Sequence, residues 1–77
     1  MDGRDWITRF AALVGVDAPD DALVEELLAL AGDAAHASER IAAPIACYLV
    51  GRAGLDPGAA RQVAATVSPD PTGGDSQ

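Results

Sequence analysis

One cysteine, Cys47, and one histidine, His36, stand in a chain of 77 residues, and this limits the available folds more than any motif does. A chain this short buries only about 60% of the surface its unfolded form exposes, which leaves it marginally stable on its own. Small domains commonly make up the shortfall with disulfides or a structural metal. A lone cysteine closes no disulfide framework, and one cysteine with one histidine cannot complete a zinc site, so neither staple can be built within one chain. The route left is a protein partner or a second copy, so a homodimer is among the expectations.

Twelve Asp and Glu oppose five basic residues, for a formal net charge of −7. The basic residues are all arginines, at 4, 9, 40, 52 and 61, spread thinly among the carboxylates. Nucleic-acid binders cluster Lys and Arg to hold phosphates, so nucleic acid is not an expected partner, and an anionic membrane surface is disfavoured on the same ground. The start, "MDGRDWITRF", has an early acid and no long apolar core, unlike a secretory signal. The longest uncharged apolar run, "IAAPIACYLV", is half of a membrane span. A cytoplasmic, soluble protein with no membrane association is expected.

Helical spacing runs through the chain. Trp6, Phe10, Leu13 and Val14 recur at steps of four, three and one, one face of a helix of about two and a half turns. Asp2 or Asp5 suits its start, and Gly15 stops it by accepting a left-handed conformation. A second helix follows Asp17, Asp20 and Asp21, whose carboxylates suit orphan amides and the positive end of the dipole. Its expected buried stripe is Leu23, Leu27, Leu30, Ala31 and Ala34, with Glu25 and Glu26 facing water.

The third helix carries Ile41, Ile45, Tyr48, Leu49 and Arg52 at helical spacing. Pro44 lacks an amide hydrogen and fits only a first turn, so the break before this helix is placed within 37–43, with Ser38 available as a cap. Gly54 ends it. Asp56 then caps a fourth helix with Pro57 at its first position and a narrow stripe of Ala60, Val63, Ala64 and Val67. Strand signals are absent, and the tail "SPDPTGGDSQ" has no large apolar group. The expectation is an all-α fold: a compact bundle or orthogonal array of four short helices over 1–67, with a disordered C-terminal tail over 68–77.

His36, Glu39 and Arg40 stand at i, i+3 and i+4 and share a face only if the second helix survives to residue 40. Read functionally, they present a guanidinium for a carboxylate or phosphate, a carboxylate to orient it, and an imidazole. Read structurally, Glu39 and Arg40 secure the interhelical turn while His36 caps a carbonyl. Tyr48 needs a hydroxyl partner if buried, with Arg52 or Glu39 as candidates. Cys47, within an apolar helix, reads as a small buried hydrophobe rather than a nucleophile paired with His36. Trp6 and Phe10 read as core anchors. The alanines at 34, 35, 37, 42, 43 and 46 make a face that another helix can approach closely. No phosphate loop, catalytic triad or paired-carboxylate motif appears, so no enzyme, cofactor or metal site is expected.

The segment "AAHASERIAAPIACYLVGRA", preceded by "DWITRFAALVGVDAPDDALVEELLALAGD", resembles a small uncharacterised helical domain family of high-GC Gram-positive bacteria. The pattern is Ala-His, then Glu-Arg, then small-small-Pro, then an aromatic and a glycine about one helix on. His36, Glu39, Arg40, Pro44, Tyr48 and Gly51 match it, and the resemblance covers roughly residues 5–67. Domains of that family occur alone or appended to proteins resembling molybdenum cofactor guanylyltransferases, near genes for formate dehydrogenase maturation.

The resemblance implies a role in handling the molybdenum cofactor and brings no catalytic residues with it. The chain lacks the Gly-rich segment of a guanylyltransferase and is not expected to be that enzyme. The leading expectation is a non-catalytic accessory module. It would dock on a molybdenum cofactor enzyme or its maturation machinery through His36, Glu39, Arg40 and Tyr48. An anion- or cofactor-binding protein using the same cluster, with Arg9 or Arg52 converging on it, is the rival. A homodimeric structural protein is the third reading.

Overall fold

The computed structural model describes residues 1–67, and the expected disordered tail at 68–77 lies outside the described residues. The described residues form an all-α bundle of four short helices and contain no strand. These are α1 (Gly3–Val14), α2 (Asp21–Ala37), α3 (Ala42–Ala53) and α4 (Pro57–Ala64). Their ends fall where the capping chemistry places them. Asp2, Asp20 and Asp56 each stand as N-cap, their carboxylates accepting from the amides of Asp5, Leu23 and Ala59 at 2.8, 2.8 and 3.1 Å. Pro57 opens α4, where its missing N–H costs nothing.

Gly15 closes α1 at φ 84°, with the Gly15 and Val16 amides donating to the Ala12 and Ala11 carbonyls at 3.2 and 3.0 Å. Gly54 closes α3 in the same way at φ 66°. This paired closure uses up carbonyls that would otherwise be orphaned at the helix end.

α2 is the hub. α3 and α4 both pack closely along it, whereas α1 packs closely on no other helix. α1 gives Ala11 to the core, and its Arg4 guanidinium is ion-paired with Asp21 and lies 3.6 Å from Glu25, both on α2. The core is correspondingly thin: Ala11, Val24, Leu30 and Ala60 are its buried apolar residues among those described, joined by Pro57. Leu30, at 2% exposure, is the largest side chain fully enclosed.

Several expected core residues are not in that core. In α2, Val24 is buried while Leu23 is partly exposed. Val24 lies between Asp21 and Glu25, the two residues paired with Arg4, and α2's covered arc extends round to that side. In α4, Ala60 and Ala64 turn inward but Val63 is exposed, and Val67 lies beyond the last turn and is exposed too. Trp6 and Phe10 are 56% and 50% exposed, stacked on each other with ring centroids 5.0 Å apart, and do not anchor a core. They share that outward face with Leu13, which is 85% exposed.

Candidate functional site

α2 ends at Ala37. Ser38 caps it from the C-terminal side, its amide and hydroxyl both donating to the Ala34 carbonyl at 3.1 and 3.4 Å, while the Glu39 amide donates to the Ser38 hydroxyl oxygen. The Ala42 and Ala43 amides then donate to the Glu39 and Arg40 carbonyls at 2.9 and 3.2 Å. These short-range bonds tighten the turn into α3, whose start has no side-chain cap and carries Pro44 in its first turn. Glu39 and Arg40 therefore give their backbone to the turn and leave their side chains exposed.

Because the helix stops at Ala37, His36 and Arg40 do not share a helical face. The structure disperses the four residues picked out from sequence. His36 lines an open cleft between α2 and α4, Glu39 and Arg40 occupy the turn, and Tyr48 stands on the outer side of α3. No hydrogen bond or ion pair joins any two of them among the described residues. Tyr48 is 61% exposed, so water can serve its hydroxyl and neither Arg52 nor Glu39 is required.

Cys47 is half-buried, with Sγ 3.9 Å from the Leu27 carbonyl oxygen. His36 stands nine positions along α2 from Leu27, about 13 Å along the axis, so the thiol and the imidazole do not meet. Among the described residues no three His, Cys, Asp or Glu side chains converge as a metal site, and no helix is long and apolar enough to cross a membrane.

A second polar contact across helices, beside that of Arg4, is one that local sequence patterns do not announce. Arg61 of α4 makes a two-pronged bond to Asp33 of α2, Nε to Oδ2 at 2.6 Å and Nη2 to Oδ1 at 3.2 Å. The Arg61 hydrogen bond holds the Asp33 carboxyl below the usual carboxylate range, against a smaller opposing effect of desolvation, with the charges of Arg61 and His36 adding to the lowering. The same bond, reinforced by the Asp33 charge, raises Arg61. Glu26 and Asp56 complete the acidic lining of the cleft, so its one guanidinium is already committed to a carboxylate.

The outer side of α3 is of the opposite character. Ala43, Ala46, Cys47 and Val50 are half-buried toward α2, while Ile41, Ile45, Tyr48 and Leu49 face outward. Arg40 and Arg52 bracket this stripe, and neither makes an ion pair among the described residues. From Arg40 to Leu55 the chain contains no carboxylate at all, so a protein of net charge −7 carries here an apolar strip with cationic ends.

The family described as a domain of unknown function, DUF6457, matches residues 1–70. The chain belongs to the DUF6457 family. No curated protein and no solved structure matches it. The matched span takes in all four helices of the DUF6457 domain, the α2–α3 turn and both outward stripes.

Proposed function

We propose that this DUF6457 domain is a non-catalytic interaction module that docks on a molybdenum cofactor enzyme or on the machinery that matures one. The observation that carries the interaction reading is the outer face of α3. Four large apolar residues there are each more than half exposed, between two guanidinia that have no ion-pair partner among the described residues. Contiguous apolar surface of this kind, rimmed by charge, is characteristic of protein contacts, and Tyr and Arg are the residues most enriched where such contacts are strongest. The resemblance to domains appended to guanylyltransferase-like proteins supports the molybdenum cofactor as the setting.

Tyr48 is the anchor in this reading, and Arg40 is the rim cation that selects a carboxylate on the partner. Glu39, in the same turn as Arg40, extends the contact, while His36 lines the α2–α4 cleft and lies apart from it. The anion-binding alternative gains no comparable support, because His36 lines the cleft while Glu39 and Arg40 stand in the turn, with no hydrogen bond or ion pair joining them among the described residues. The one arginine beside His36 in that cleft is held by Asp33.

The test is native mass spectrometry of the protein captured gently from its own cells, followed by affinity measurements on whatever protein comes with it. A stoichiometric partner from molybdenum cofactor metabolism is expected, with Tyr48→Ala weakening the complex by about 2 kcal/mol, or roughly thirtyfold, and Arg40→Ala by less, mainly through slower, salt-dependent association. A complex indifferent to both substitutions while the variants stay helical would remove these residues from the interface.

A further inference from the structure

The structure leaves two outward stripes uncovered, and their sequences match each other. On α1 the stripe is Trp6, Phe10, Leu13 and Val14; on α3 it is Ile41, Ile45, Tyr48 and Leu49, with the same steps of four, three and one. Each helix is 12 residues long, about 18 Å. The charge balance around them is opposite: residues 1–21 hold five carboxylates and two guanidinia, and residues 40–55 two guanidinia and no carboxylate. Asp5 stands one residue before the α1 stripe and Asp17 three after it, while Arg40 stands one residue before the α3 stripe and Arg52 three after it. Laid side by side in the same direction, the two stripes bring apolar residue to apolar residue, and an acidic surround on α1 faces a segment on α3 that holds guanidinia and no carboxylate.

Within one chain this pairing is not made. α1 does not pack closely on α3, and Arg4 holds it to the start of α2 instead. From these observations we infer that α1 of one copy lies on the outer face of α3 of a second copy, and reciprocally, in a two-fold homodimer.

A two-fold axis makes both contacts at once and leaves neither stripe over, which closes the assembly at two. The exposed parts of the large side chains in the two stripes come to roughly 800–1,000 Å² per copy, the scale of the ~800 Å² per partner in a standard stable interface. The inference rests on the reading of the α3 face as an interaction surface and names its occupant: Tyr48 and Arg40 meet a second copy, in place of direct contact with a molybdenum cofactor partner.

The experiment is sedimentation equilibrium of the full chain between about 1 and 100 μM, for the parent, Phe10→Glu, Ile45→Lys and an equimolar mixture of the two variants. Phe10 and Ile45 are half exposed or more, so both variants should fold, and far-ultraviolet circular dichroism checks that they do. The parent is expected at twice the 7.8 kDa chain mass and each variant at the single-chain mass. The mixture is expected to return to the double mass, because one contact then sets Glu against Lys and the other keeps both native residues.

A helical parent that stays at single mass at 100 μM overturns the homodimer, as does a mixture of folded variants that does not re-associate. If such a monomeric parent still binds a cellular protein, and Ile45→Lys abolishes that binding, the interaction reading stands without the second copy. If Ile45→Lys leaves that binding unchanged, both readings fall.

Discussion

Asp33 and Arg61 lie 28 positions apart, yet they make the closest two-pronged contact between helices in the described residues. A carboxyl whose folded pKa lies below its unfolded value adds stability above the ordinary carboxylate range. That addition fades as pH falls from about 3.8 through the lower folded value. Asp33→Asn is therefore expected to lower the melting temperature at neutral pH and to flatten its decline in acid, the two curves converging at low pH. Parallel curves for parent and variant would remove the pair from the acid response. The placement of His36 shows where sequence reading stops at this scale. Its i+3 and i+4 relations to Glu39 and Arg40 are visible in the sequence, but only the helix end at Ala37 decides that they go to different surfaces. The Arg61 partner is invisible to spacing because it depends on how α4 crosses α2.

Helix ends were legible because each rests on one or two residues of fixed chemistry. Asp20 and Asp56 cap, Pro57 opens, and Gly15 and Gly54 close. Gly15→Ala is expected to cost about 1–2 kcal/mol in thermal or denaturant unfolding, since a side chain at φ 84° is strained although nothing lies within 4 Å of its Cβ position. Gly32→Ala, inside α2 with equally open space, should instead raise stability by about 0.5–1 kcal/mol. Equal effects from the two substitutions would show that backbone conformation does not govern these positions.

The facing of each helix was much less legible than its ends. Period alone says which residues share a side, and for α1 and α3 the large apolar side invites the inference of a core. α3 instead turns its smaller residues, Ala43, Ala46 and Cys47, with Val50, to α2. Small side chains let two helices approach closely, so the Ala-rich face recognised in the sequence serves the α2–α3 contact and the bulky face is left outward.

At the scale of the molecule, the chain's length and its lack of a disulfide or metal staple meet the thin core of the structure. Among the described residues the domain buries four apolar residues and one proline and leaves two stripes of large apolar residues outside. The expectation of a covering surface could be drawn from 77 residues with a single cysteine. The identity of the cover could not, because it depends on α1 being held away from α3 in its own chain. If two copies complete each other's core, association stabilises the fold, and its stability depends on protein concentration. The most direct measurement is the melting temperature of the full chain across a hundredfold range of concentration, beside Phe10→Glu. A rise of about 5–10 °C is expected for the parent with no change for the variant. A parent whose melting temperature does not move with concentration would contradict the claim that these stripes are covered by a second copy.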